Sequence, residues 1–209
     1  MSKELSSMSH DSRPRCLYIV RDEFGRKLAD YREVLPAQQV SIEDFRDDPA
    51  LVADVVVPVH AGSDADLREE VDRICAERGI ASVGVQLLPT RIVCGPAVVP
   101  GDTACHSCYR KRTAQHAAKA REFDVDASVS GLPLGFGAQH LAVASGLLEL
   151  ALTEIAEGVT GIGGTVRAFN LISGGVTASV TVAVDRCPRC GGRFAAARAT
   201  GASPVPELL

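Results

Sequence analysis

Hydrophobic residues recur along this chain with two different periods. Cys16-Leu17-Tyr18-Ile19-Val20 and Ala53-Asp54-Val55-Val56-Val57-Pro58-Val59 are short apolar runs, of the kind buried on both faces of a parallel sheet. Other segments repeat at three and four residues, which gathers apolar side chains on one helical face. That spacing predicts a helix over Arg21 to Tyr31, with Phe24, Leu28 and Tyr31 inward. A second is predicted over Asp64 to Arg78, with Leu67, Val71, Ile74 and Cys75 inward, Ser63 as its N-cap and Gly79 closing it. A third runs from Ala138 to Glu157 and buries Leu141, Ala144, Leu148, Ala151, Leu152 and Ile155.

Weaker signals fill the gaps. Gln39 to Ile42 reads as a short strand and Glu43 to Arg46 as a short acidic helix, while Ile80 to Leu88 and Arg91 to Cys94 supply further strands. Pro58 belongs at a strand end or an irregularity, because it lacks a ladder donor. A helix is expected to run through Arg121, then a loop to Gly137. Gly161-Ile162-Gly163-Gly164 follows a helix and precedes a strand, the reverse of a phosphate loop, and reads as a turn. Thr165 to Leu171 and Val176 to Val184 form a hairpin with Ser173-Gly174-Gly175 at its tip. The class that results is α/β, a Rossmann-like, mainly parallel sheet with a C-terminal β-hairpin. Residues 1–15 and 194–209 lack periodicity and read as tails, which leaves 16–193 as one domain.

Composition narrows the partners. Aromatic residues make up 4% of the chain, with no tryptophan, so Val, Leu, Ile and Ala must fill the core. A formal charge of −4 argues against nucleic acid, which asks for a basic footprint and stacking rings. Arg110-Lys111-Arg112 reads as a solvated helix start before it reads as a phosphate site. The longest apolar stretch, Leu141 to Ile155, is interrupted by Glu149 and is too short for a membrane span. Its apolar stripe is wide; core packing within the monomer is the default reading, and a homodimer or larger complex formed through this helix or the exposed sheet edge is the expected assembly. Nothing in the first residues reads as a secretory signal, so the expectation is the cytoplasm and reduced thiols.

The candidate chemistry lies in the cysteines. Cys105 and Cys108 in PGDTACHSCYRKR, and Cys187 and Cys190 in VDRCPRCGGR, are two Cys-x-x-Cys knuckles. Together they offer the four thiolates that a closed, structural Zn²⁺ site prefers. His106 lies inside the first knuckle, but four thiolates already complete a tetrahedron. Cys16, Cys75 and Cys94 fall at apolar strand or helix positions and read as small core residues. His60 ends a central strand, where α/β sheets place their sites, without a recognisable partner base or nucleophile. The turn after the first strand is Arg21-Asp22-Glu23-Phe24-Gly25. A nucleotide-binding turn needs glycines there so that backbone can approach phosphate, and only Gly25, the packing glycine, is present.

The block Gly95-Pro96-Ala97-Val98-Val99-Pro100-Gly101-Asp102-Thr103-Ala104-Cys105-His106-Ser107-Cys108, with Cys187-Pro188-Arg189-Cys190-Gly191, resembles the ThiF/MoeB type of ubiquitin-activating-like fold. The nearer resemblance is to its branch in the biosynthesis of thiazole/oxazole-modified peptides, the cyclodehydratase-associated or leader-peptide-binding proteins. It implies a zinc-stapled α/β domain, often dimeric, that presents a precursor's leader peptide to a partner performing ATP-dependent cyclisation. Adenylating members carry a glycine-rich turn and an acidic metal-binding residue; here those places hold Arg21 to Glu23 and about Val59-His60-Ala61. Leader-binding members commonly have a winged-helix-like recognition domain before this part, where residues 1–15 stand here, so leader binding is left either to this chain directly or to a separate recognition protein. The expectation is a non-catalytic partner protein that binds zinc and not ATP, and that docks precursor peptide or cyclodehydratase. The alternatives are an adenylating or acyl-transferring enzyme with an atypical nucleotide site, and a structural zinc protein of another pathway.

Overall fold

A computed structural model describes residues 14–33, 37–117, 135–158 and 163–191. Its strands are β1 (Cys16–Val20), β2 (Gln38–Val40), β3 (Val55–Ala61), β4 (Ala81–Ser82), β5 (Val85–Leu87), β6 (Arg91–Cys94), β7 (Gly163–Asn170) and β8 (Val176–Val182). The helices are α1 (Glu23–Arg32), α2 (Ile42–Asp47), α3 (Ala65–Arg78), α4 (His106–Ala117) and α5 (Ala138–Glu157). Among the described residues the strands form one sheet in the order β2-β1-β3-β5-β6-β7-β8, with β4 also on β3. Pairing is parallel from β2 through β5 and antiparallel from β5 through β8. The α/β class, the largely parallel sheet and the C-terminal hairpin are therefore as expected.

Both faces of the central strands are covered, which is why their sequences are unbroken apolar runs. Leu17, Ile19 and Val56 point to one side, against Phe45 of α2 and Leu67, Val71 and Ile74 of α3. Tyr18, Val55, Val57 and Val59 point to the other, against Phe24 and Leu28 of α1 and Leu147, Leu148, Ala151 and Leu152 of α5. Adjacent residues reach opposite layers because the side-chain period of a strand is two. The α5 stripe is largely consumed in this core. Its outward remainder is Leu150, 55% exposed, so α5 gives little support to a homodimer.

Pro58 lies inside β3, opposite Ile19 of β1. The Val56 carbonyl accepts from Val83 N at 3.1 Å, so strand alternation turns Pro58 toward the same neighbouring side. There β4 has ended at Ser82 and β5 begins only at Val85. The missing N–H faces the stretch between β4 and β5, where the ladder is interrupted.

Several boundaries move. Asp64, not Ser63, caps α3, its carboxylate accepting from Leu67 N at 3.0 Å; an aspartate one position closer to the apolar repeat wins the cap. Tyr31 is 52% exposed, and Ala29 completes the inner face of α1. Gly163 and Gly164 open β7 instead of forming a turn. At Gly164 a Cβ would lie 2.2 Å from the Ala97 carbonyl oxygen, so glycine is needed for close approach of two backbones. Arg15 is anchored to Asp54, donating to its carboxylate from backbone N at 2.8 Å, and joins the folded part. The expected tails 1–15 and 194–209 otherwise lie outside the described residues, as does the predicted continuation to Arg121. No helix among the described residues is long and apolar enough to cross a membrane.

Candidate metal centre

The loop after β6 is shaped by its glycines and a threonine. Gly95 has φ +125° and its Cβ position lies 2.5 Å from the Thr165 carbonyl oxygen, so any side chain there would strike β7. Gly101 has φ +90°, in the region that favours glycine. Thr103 closes the loop: its Oγ1 accepts from Val99 N at 2.9 Å and its N donates to Val99 O at 3.0 Å. This tight turn delivers Cys105 and Cys108 to the start of α4. The second knuckle comes directly off β8, with Cys187 N donating to Val184 O at 3.2 Å and Gly191 N to Cys187 O at 2.8 Å.

The two knuckles meet. All four sulfurs lie within 4.8 Å of one another, and all four residues are buried. Cys105 and Cys108 Sγ are 3.7 Å apart, Cys105 and Cys187 3.6 Å, and Cys108 and Cys190 3.5 Å. Sulfurs at the corners of a tetrahedron around Zn²⁺, with bonds of about 2.3 Å, would stand about 3.8 Å apart. A disulfide requires about 2.05 Å. The donor set and spacing fit a divalent, thiophilic ion and do not fit two disulfides.

Electrostatics point the same way. Burial pushes the thiols of Cys105 and Cys108 up, Cys108 to about 11. Against its own burial, Cys187 is drawn down to about 7 by backbone N–H groups of Cys190 and Arg189 and by neighbouring sulfurs. Val184 N also donates to Cys108 Sγ at 3.2 Å. Such donors stabilise thiolates, the form that binds metal. Around the sulfurs the apolar residues are few: Ala104, Ala183 and the flank of Val184.

One support is missing from the sequence reading. Asp72 of α3, 1% exposed, accepts from His106 N at 3.1 Å and pairs with Arg189, which lies between the cysteines of the second knuckle. Arg189 also reaches Glu69 at 2.8 Å. One helix therefore grips both knuckles. The available signal was a carboxylate at a position next to buried Val71, on a helix facing the sheet. Replacing Asp72 with alanine should lower unfolding free energy by about 3 kcal/mol, because it strands a half-buried guanidinium and the His106 N–H. Urea denaturation reads this, and a change below about 0.5 kcal/mol would show that the network contributes little.

The other candidates separate from this centre. His106 lies outside the sulfur cluster, its Nδ1 3.6 Å from Glu69 and its ring beside Tyr109; burial pushes it below the ordinary histidine range. Cys94 is fully buried and raised to about 12 by that burial, and Cys75 is likewise buried and raised to about 12. Both are core residues. Cys16 is half-buried, raised to about 11 by burial. His140 caps α5, its Nδ1 accepting from Gly137 N at 2.9 Å. His60 is buried at the C-terminal end of β3.

The turn after β1 is closed by a side chain. Asp22 caps α1, one carboxylate oxygen accepting from Gly25 N at 2.8 Å and the other from Ala61 N, the last residue of β3, at 2.6 Å. At Gly25 a Cβ would lie 2.7 Å from the Val59 carbonyl oxygen, so this glycine does serve helix–strand packing. The place where such folds present amides to phosphate holds a carboxylate.

The sequence matches no protein-family model and no curated protein. Solved structures do share the architecture. The heterocyclase TruD superposes with a TM-score of 0.53 at 18% identity, over 93% of this chain and 30% of that one. The Escherichia coli (E. coli) microcin synthetase McbBCD complex gives 0.59 at 17% identity, over 83% and 67%. E. coli MccB gives 0.51 at 16%, over 79% and 48%. The fold is ThiF-like. At these identities the ThiF-like architecture is what is shared, and this chain spans under a third of the TruD heterocyclase.

Proposed function

We propose that this chain is a non-catalytic ThiF-like partner in the biosynthesis of thiazole/oxazole-type ribosomal peptides, with bacteriocins among the products. Its task is to dock a precursor peptide, or the cyclodehydratase that modifies it, on a zinc-stapled scaffold in the cytoplasm. The observation that carries the non-catalytic reading is the Asp22 carboxylate bound to Gly25 N and Ala61 N. It fills the phosphate-binding turn of a fold otherwise like that of heterocyclase and synthetase components. The chain matches 30% and 27% of two heterocyclase chains, so the rest of such a machine must come from other sequence. An acyl-transferring enzyme would need an accessible nucleophile, and Cys94 is buried and protonated.

β8 offers the docking surface in this reading. It ends the sheet, and Val176, Val180 and Val182 on one face are 60%, 58% and 45% exposed. An edge strand with an uncovered apolar face is a template for added structure. Val180→Lys should leave the fold intact, since the side chain is exposed. It should weaken capture of a cyclodehydratase or precursor peptide of the thiazole/oxazole type by tenfold or more. Unchanged capture by the variant would remove β8 from the proposal, and failure of the wild type to capture either would remove the partner role itself. Light scattering separates the homodimer, which would double the 22.0 kDa mass.

A further inference from the structure

Arg68 projects from α3 into the protein and is 6% exposed, yet none of its three guanidinium nitrogens has a hydrogen-bond partner among the described residues. Arginine remains protonated in proteins, and a buried cation without acceptors is costly. Other shielded arginines of this chain are served: Arg32 by Glu33 and Glu149, Arg167 by Glu154, Arg189 by Asp72 and Glu69. Asp72, one helical turn along from Arg68, has both carboxylate oxygens committed to His106 N and Arg189.

The guanidinium is held in place. It lies against Gly84, where a Cβ would come within 2.4 Å of Nη1. It lines a cavity of about 30 Å³ together with His60, Gln86, His106 and Tyr109. His60 Nδ1 is also buried without a partner. Gln86 Nε2 is already donated to Gly62 O at 2.8 Å, and His106 Nδ1 faces Glu69 at 3.6 Å. A single water needs about 10–15 Å³, so the space takes one or two particles of that size. Carboxylate and phosphate groups, with three or more heavy atoms, are too large.

We propose that this cavity binds a single halide ion, chloride in the cell, coordinated by the Arg68 guanidinium at the C-terminal end of β3 and the start of β5. The ion supplies the acceptor that the fold withholds from Arg68. It joins the sheet to α3, the helix that grips both cysteine knuckles. The site is independent of any peptide or cyclodehydratase.

Bromide is the direct probe. Crystals grown in sodium bromide should give an anomalous peak within about 3.5 Å of the Arg68 nitrogens, a hydrogen-bonding distance for a large anion. Ordered water alone at that place, with no bromine signal, overturns the proposal. In solution, the thermal midpoint should rise with sodium chloride and level off, compared with sodium gluconate at equal ionic strength, because a ligand of the native state stabilises by mass action. Arg68→Met keeps the length and removes every donor, and its midpoint should be indifferent to the choice of salt. If that variant does not fold, Gly84→Ala, whose methyl displaces the guanidinium, should show the same indifference. An equal chloride response in wild type and variant overturns the assignment to Arg68.

Discussion

Serine in place of Cys108 is expected to take the metal content of the purified protein from one zinc per chain to below a tenth, and to collapse the lobe built on the two knuckles. Little apolar packing holds that lobe. Among the described residues, the apolar side chains clustered around the four sulfurs are Ala104, Ala183 and the flank of Val184, and burying such small side chains contributes little. Structural zinc contributes on the order of 10 kcal/mol or more in small domains, as much as the whole net stability of many proteins. The sheet core around Leu17, Val56 and Phe45 is a separate cluster, so loss of the lobe should leave a partly folded, aggregation-prone chain. Serine retains the size of the side chain but offers no thiolate, so packing alone does not explain the loss. Elemental analysis and a melting curve read the result, and X-ray absorption should give Zn–S distances of about 2.3 Å. Wild-type protein that carries no metal yet melts like its chelator-treated form would sink the zinc assignment.

The sheet and the sulfur cluster were legible in the sequence for different reasons. Leu17 to Val20 and Val55 to Val59 are apolar at every position because each successive residue enters a different layer, and no other arrangement explains such runs so simply. The knuckles were legible because Cys-x-x-Cys spacing is fixed by coordination geometry, which holds however far apart the pairs lie. Asp72, Glu69 and Arg189 were not legible, because their pairing joins α3 to a loop more than a hundred residues away, and charge alone does not reveal its partner. Arg68 was hidden for a related reason. A lone arginine among helix charges reads as solvated, and only Gly84, by leaving it room, shows that it is buried. The break at Val83 and Gly84 that accommodates Pro58 divides a stretch that periodicity reads as one strand.

Titration with Mg-ATP is expected to produce no binding heat up to millimolar nucleotide. The N-terminus of α1 could stabilise phosphate only if its amides were free and no negative charge stood before them. Gly25 N is taken by Asp22, and the second oxygen of that carboxylate holds Ala61 N, so the same residue occupies the amides of both α1 and β3. A phosphate about 4 Å from this carboxylate, at an effective dielectric near 20, meets a repulsion of roughly 4 kcal/mol, close to a thousandfold in affinity. Neighbouring cations are poorly placed to offset it. Arg21 pairs with Asp64 at 2.5 Å, and Lys27 lies 3.9 Å from Glu23. At the end of β3, where the resemblance would place an acidic metal ligand, His60 stands instead, and an imidazole offers no negative charge to hold Mg²⁺. Asp22→Asn should therefore leave binding undetectable, because removing one repulsion restores neither the amides nor the metal ligand; asparagine caps a helix about as well, but its single acceptor oxygen must give up Gly25 N or Ala61 N, a loss of about 1 kcal/mol. A micromolar dissociation constant for wild-type protein would mean that Asp22 leaves its two amides when nucleotide arrives, and the adenylating reading would then replace the partner role.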